Sequence, residues 1–216
     1  MKLIKVFLVI IALNLLSIRN SFSQNFCIFL NSGFSYRLMT MKDTVSESFQ
    51  SYFNRKRPGI NYNIEAVWYS ENQGVGLRFN SFLNSVSGKN IYLSPVENVD
   101  KNEDIRITYY SLQYHFRKQI RKSRFRLELC GGIGYVTYHS DGKELAEEIL
   151  ITGNTVGING TIFLDYRVFK FLSINVSTNL FIAVLSKDLK NGDTEILTNK
   201  ESLGRFDFNG GVKIGF

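Results

Sequence analysis

The sequence predicts an all-β protein: an eight-stranded antiparallel up-and-down barrel that crosses a membrane, preceded by a cleaved signal peptide. Three observations predict it. Runs of roughly ten residues alternate apolar and polar side chains, as strands between two environments do. The connections between runs alternate short and long. The chain also opens on a basic, then apolar, leader. With 14 % aromatic residues, 17 Gly and only 2 Pro, the composition favours strands over helices.

The leader is read first. Lys2 and Lys5 begin it, Val6 to Leu16 is apolar apart from Asn14, and Ser21-Phe22-Ser23 supplies the small residues a signal peptidase needs. Residues 1–23 are therefore the expected signal peptide, and 24–216 the barrel domain. The apolar run falls well short of the roughly 20 residues of a membrane-spanning helix. Gln24, Asn25 and Phe26, just before Cys27, are unlike a lipoprotein signal. The leader removes Lys2, Lys5 and Arg19 from 26 Lys and Arg set against 19 Asp and Glu, which leaves a net charge of +4. No basic run is interleaved with aromatics, so nucleic acid is not an expected partner. Cys27 and Cys130 fall on the first and fifth expected strands, across the ring from each other. A disulfide needs Cα atoms within about 7 Å, so two free buried thiols are expected. Neither has metal-ligand spacing around it, and no cofactor motif occurs.

Strands are expected near 26–37, 59–69, 74–84, 105–117, 124–138, 154–167, 171–185 and 203–216. Ser70–Gln73, Lys118–Ser123 and Val168–Lys170 read as tight turns. Leu38–Pro58, Ser85–Asp104, His139–Gly153 and Ser186–Ser202 read as long polar loops. Short turns belong on the periplasmic side and long loops outside. An even strand number and a long first connection also suit a chain that begins and ends in the periplasm.

The two faces can be read strand by strand. In the last, Phe206, Phe208, Val212, Ile214 and Phe216 oppose Arg205, Asp207, Asn209, Gly211 and Lys213. The sixth sets Val156, Ile158, Ile162, Leu164 and Tyr166 against Asn159, Thr161, Asp165 and Arg167. The fifth sets Leu127, Leu129, Ile133 and Tyr135 against Arg126 and Glu128. The third sets Val75, Leu77 and Phe79 against Gly76, Arg78 and Asn80. Side chains alternate faces along a strand. An eight-stranded ring is only wide enough inside for side chains to fill it, so that many bulky apolar groups belong outside, in lipid. Trp68, Tyr69, Tyr114, Phe116, Tyr166, Phe169, Phe171 and Phe216 all lie by the short turns, where an interfacial aromatic girdle would lie. In hydrocarbon an open edge strand is excluded, so the first and last strands, around Phe29 and Lys213, must pair.

The chain ends Asn209-Gly210-Gly211-Val212-Lys213-Ile214-Gly215-Phe216. This segment resembles the terminal insertion signal of outer-membrane proteins, and the whole chain resembles the small outer-membrane β-barrel family of OmpX-like or PorT-like type. The resemblance implies recognition by the barrel-assembly machinery at Asn209, Gly211, Ile214 and Phe216. Ile214 departs from the aromatic usual at its position. The resemblance places the protein in the outer membrane of a Gram-negative bacterium but does not choose a function, since the family spans adhesins, stability proteins and secretion accessories.

The inward parity gathers Glu65, Arg78, Arg126, Glu128, Asp165, Arg167 and Lys213 in the periplasmic half of the lumen. A symmetric turn at Ser70–Gln73 sets Glu65 opposite Arg78. An ion-selective constriction is one reading; a packed charge network plugging a narrow barrel is favoured, because eight strands leave no diffusive pore. The expected protein is thus a structural or surface-interaction barrel with a plugged polar lumen, neither a porin nor an enzyme.

Two other classes remain open. A lipid-modifying enzyme would use His139 on the lipid-facing parity, but needs a Ser and a carboxylate beside it. Ser140 points the other way, Asp141 is assigned to the loop, and no Ser or acid is expected on the outward upper ends of the fourth or sixth strand. His115 is inward, expected beside Arg126. A soluble exported barrel holding a small apolar ligand would instead put Leu77, Ile158 and Val212 inside. A surface partner or phosphate groups could be met by the first long loop, with Phe49, Tyr52 and Phe53 ahead of Arg55-Lys56-Arg57; a solvated loop tip is the simpler expectation. Glu144, Glu147 and Glu148 form a short helix-like pattern without Ca²⁺-loop spacing.

Overall fold

The computed structural model describes residues 26–39, 47–94, 97–120, 123–144, 147–190 and 193–216. The expected leader, 1–23, lies outside them. Among the described residues are nine strands and one helix: β1 (Phe26–Arg37), α1 (Glu47–Arg55), β2 (Pro58–Ser70), β3 (Gln73–Ser94), β4 (Glu97–Gln119), β5 (Phe125–Glu144), β6 (Glu147–Arg167), β7 (Leu172–Lys190), β8 (Asp193–Ser202) and β9 (Arg205–Gly215). All pairings are antiparallel: β1 to β7 each pair with the next strand in the chain, β9 pairs with β7, and β1 pairs with β9 to close the ring. Leu203 and Gly204 interrupt the last stave: β8 lies along the outer part of β7 and β9 along the inner part. The barrel therefore has eight staves. Phe29 and Lys213 are direct register partners at the closing seam.

The turn at Ser70–Gln73 is symmetric, with Glu71 in the left-handed region (φ 54). It sets Glu65 opposite Arg78. Leu77 is 68 % exposed and Ile158 51 %, both on the outer face with Val212. That placement overturns the soluble apolar-ligand barrel. Trp68, Tyr114, Phe116, Tyr166, Phe169, Phe171 and Phe216 also face outward near the short turns. Tyr69 departs from that belt: it is fully buried inside, because it shares the parity of Glu65 and Val67.

The outer connections differ from expectation. The described residues of segments 85–104, 139–153 and 186–202 are continuations of the staves rather than loops: the strands run to Ser94, Glu144 and Lys190 and restart at Glu97, Glu147 and Asp193. Glu144 pairs with Glu147 across a hairpin, so the helix-like spacing there forms strand. Helix instead appears in the first long connection, as α1, whose Arg55 in its last turn suits the negative helix end.

The apolar parity also switches along the staves. On β4, Tyr110, Leu112, Tyr114 and Phe116 point outward, whereas Ile105, Ile107 and Tyr109 point inward. On β5, Ile133 and Tyr135 face out and Val136 and Tyr138 face in. The inward set packs with Phe82, Phe181, Ala183, Leu185 and Leu203 into a dry collar at the outer end of the lumen. The lumen is thus polar in its lower and middle parts and apolar at the collar, with buried Glu103 and Ser140 at its outer mouth. The switch has a plain cause: outward apolar groups are favourable in hydrocarbon, but a wall standing in water must turn them inward.

Candidate functional site

The periplasmic half of the lumen holds a buried ionic network. Arg78 on β3 donates through Nη2 and Nε to Glu65 Oε2 on β2, at 2.9 and 3.1 Å, and through Nη1 to Thr161 Oγ1 at 2.8 Å. His115 on β4 lies between two carboxylates: Nε2 is 2.7 Å from Glu65 Oε1 and Nδ1 is 2.6 Å from Glu128 Oε1. Lys213 on β9 donates to Glu128 Oε2 at 2.6 Å and to Asp165 Oδ2 at 3.1 Å, with its ammonium 4.3 Å from the Phe29 ring centroid. Tyr69 gives its hydroxyl proton to Glu128 Oε1. Both His115 nitrogens meet carboxylate oxygens, an arrangement in which a charged ring would donate to both. A charged ring would balance three carboxylates against Arg78, Lys213 and itself.

Of the residues the sequence assigned to this network, Glu65, Arg78, Glu128, Asp165 and Lys213 are brought together and buried. Arg126 and Arg167 are not. Arg126 is half-buried, opposite Gln119 and Asp165, and Arg167 is exposed with Nη2 3.5 Å from Gln119 Oε1. Both sit where the wall ends at the periplasmic rim, so inward parity no longer encloses them. His115 faces Cys130 rather than Arg126.

Sequence reasoning missed a second cluster above the first. Arg205 Nε donates to Asp207 Oδ1 at 3.1 Å, and its guanidinium lies 4.3 Å from the Phe181 ring centroid. Asp207 also accepts from Ser35 Oγ at 2.5 Å and Asn179 Nδ2 at 2.7 Å. Arg37, fully buried, pairs with Glu201 at 3.0 Å. The parity of the last strand already set Arg205 and Asp207 inward; what it could not give was the level at which β1, β3 and β7 meet them.

Glu65, His115 and Cys130 offer ligand atoms within 4.8 Å of one another. A metal would find every donor engaged. Arg78 Nη2 lies 3.1 Å from Cys130 Sγ as well as on Glu65, so the protein's own cation occupies that corner. Cys27 and Cys130 are both buried free thiols.

Outside, above the apolar band, Asp104, Arg106, His139 and Asp141 line a shallow cavity of about 570 Å³ with Ser85. Two of these correct the sequence reading: Asp141 belongs to β5 and its Oδ2 is 3.0 Å from His139 Nε2, and Asp104 stands on the outward upper end of β4. Ser85 Oγ, however, donates to Asp104, and Ser140 Oγ donates inward to Glu103 at 2.8 Å. Neither serine is bonded to His139.

The basic segment behind α1 is docked rather than free. Tyr52 is buried and its hydroxyl donates to Glu103 Oε2 at 2.7 Å; Lys56 forms an ion pair with the same carboxylate. Arg55 donates to the Ser87 carbonyl at 3.1 Å and Arg57 to the Met39 carbonyl at 3.2 Å.

At the closing seam, Asn209 and Lys213 point in and Phe216 out, with Ile214 half-buried on the outer face. Gly211 sits opposite Asn31, and a Cβ there would strike both the Asn31 amide and the Leu30 carbonyl.

No protein-family model matches the chain, and no curated protein does. Solved structures match in fold. A major outer membrane protein from Thermus thermophilus is 11 % identical, with a TM-score of 0.59 over 90 % of this chain and 100 % of that one. Neisserial surface protein A gives a TM-score of 0.55 at 9 % identity over 88 % and 97 %. The attachment invasion locus protein of Yersinia pestis, solved with the heparin analogue sucrose octasulfate, gives 0.50 at 9 % over 88 % and 99 %. The chain has the fold of small outer-membrane β-barrels, and its outward apolar band places it in that membrane.

Proposed function

We propose that this outer-membrane barrel is a solute-tight support for surface contacts, not a diffusive porin and not an enzyme. The observation that carries the reading is the filled lumen: an ionic network below, the Arg205–Asp207 cluster in the middle and an apolar collar above. The long outer arms supply a stiff surface for a partner, with α1 held against them through Glu103. Insertion by the barrel-assembly machinery would read Asn209, Gly211, Ile214 and Phe216, after export directed by residues 1–23. Reconstitution into liposomes tests the reading. Swelling in small sugars should match protein-free vesicles, and steady sugar entry would refute it.

A second reading, a lipid-modifying enzyme, draws support from the His139–Asp141 pair above the apolar band. It lacks a nucleophile bonded to the histidine among the described residues, so the support role is preferred.

A further inference from the structure

Arginines gather at the periplasmic mouth of the lumen. Arg117 on β4, Arg126 on β5 and Arg167 on β6 continue the inward-facing rows of His115, Glu128 and Asp165, and Arg124 stands just before β5 with the same parity. That parity carries all four beneath the lumen rather than into lipid. Two contacts bear this out. Arg117 lies 4.0 Å from the ring centroid of the buried Tyr69 and donates through Nε to the Glu71 carbonyl at 2.8 Å. Arg167 holds Nη2 3.5 Å from Gln119 Oε1 on β4, two staves away. Its backbone amide donates to the Arg124 carbonyl at 3.0 Å, so β6 and the foot of β5 end at one level.

The acids nearest to them are already committed. Glu128 and Asp165 turn into the interior and meet Lys213 at 2.6 and 3.1 Å. No ion pair among the described residues includes any of the four arginines, which are half-buried or exposed. Like charges crowded on one rim repel, and an anion among them relieves that repulsion. Each guanidinium offers a planar fork that meets a carboxylate through two parallel bonds. Forks on three adjacent staves suit several carboxylates in a row better than one small ion. Lipid phosphate is the poorer fit, because exposed Phe125, Tyr166, Phe169 and Phe171 stand on the outer side at this level. The cations on that lipid side are Lys118, of outward parity, and Lys170, between Phe169 and Phe171.

We propose that this arginine-lined mouth is a docking site for an acidic segment of a periplasmic protein, its Asp or Glu carboxylates taken by Arg124, Arg126 and Arg167 with Arg117 behind them. The contact lies across the membrane from the outer arms. It therefore goes beyond the surface role and does not depend on it.

The test is fluorescence anisotropy of the full barrel in uncharged detergent micelles, with a dye-labelled oligoglutamate peptide as probe and oligoglutamine as its control. The wild type should bind oligoglutamate and not oligoglutamine. Arg126→Gln combined with Arg167→Gln should weaken binding about tenfold, as the loss of charge-assisted forks does. Lys118→Gln combined with Lys170→Gln removes the same charge and should leave binding nearly unchanged. Equal losses in the two double variants would mean that the peptide reads net charge alone, and would overturn the proposal. So would a wild type that ignores oligoglutamate but retains phosphatidylglycerol in native mass spectrometry, with the lipid lost from the arginine variant: the mouth would then be a membrane contact. Should the arginine variant not give the heat-dependent gel shift of a folded barrel, the two peptides on the wild type and on the lysine variant decide alone.

Discussion

Arg78 holds together groups from four staves: Glu65 on β2, Thr161 on β6, Asn179 on β7 and the Cys130 sulfur on β5. Its removal leaves Glu65 and Glu128 facing each other across His115 with one cation fewer. Losing one member of a buried pair typically costs about 3–5 kcal/mol, whereas replacing both is far milder. Arg78→Met should therefore lower unfolding stability in urea by about that amount, and Arg78→Met with Glu65→Gln should recover much of it. Additive losses in the double variant would refute this coupling. At this scale the sequence was largely legible, because parity and one symmetric turn place Glu65 against Arg78. It was not legible at Arg126 and Arg167, where alternation continues past the end of the enclosing wall, nor at Tyr69, whose ring suits either the lipid interface or the interior.

Among the elements, α1 and the outer arms were the ones the sequence concealed. In water, an outward strand face has no apolar requirement, so Ser85, Asn102 and Asp104 look like loop residues though they pair in register. The inward signal remained in Ile105, Ile107 and Tyr109, but at a parity opposite to that of Tyr110 and Leu112. Glu103 ties α1 to these arms and stands above the apolar band, level with the exposed Asn102 and Asp104. Burial pushes its carboxyl pKa up, but the Lys56 ammonium and hydrogen bonds from Lys56, Tyr52 and Ser140 hold it below the ordinary value of 4.5. A carboxyl lowered on docking stabilises the docked state above its ordinary pKa, and that contribution is lost as the pH falls through the docked value. Backbone exchange in α1, corrected for intrinsic rates, should therefore be better protected at about pH 7 than at about pH 3. Glu103→Gln should show the weaker protection at both. Equal protection of the wild type at the two values would count against the latch.

For the molecule as a whole, closure is the decisive step, and it rests on the seam between β1 and β9. The wide apolar exterior and eight staves were readable because every stave repeats the same alternation. The seam's close fit was not, since it depends on how Asn31 lies over Gly211. Gly211 is also one of the positions expected to be read during insertion, and its neighbour separates the two roles. A Cβ at Gly210 meets only the Asn175 carbonyl, at 4.0 Å on the outer face. Gly211→Ala should weaken the heat-dependent gel shift of the folded barrel after refolding into detergent, without any assembly machinery present, whereas Gly210→Ala should leave it unchanged. A normal shift for both would assign Gly211 to recognition rather than to the fit of the wall.

The switch in apolar parity means that this protein obeys two solubility rules, one above the other. Its lower storey is built inside out, oily towards its surroundings; its upper storey follows the ordinary plan of a water-soluble domain. A change on the outside of the upper storey therefore meets water and a few polar neighbours rather than lipid, while the collar behind it keeps the walls upright. The part facing the world can be rewritten, residue by residue, without renegotiating the part that dissolves in lipid.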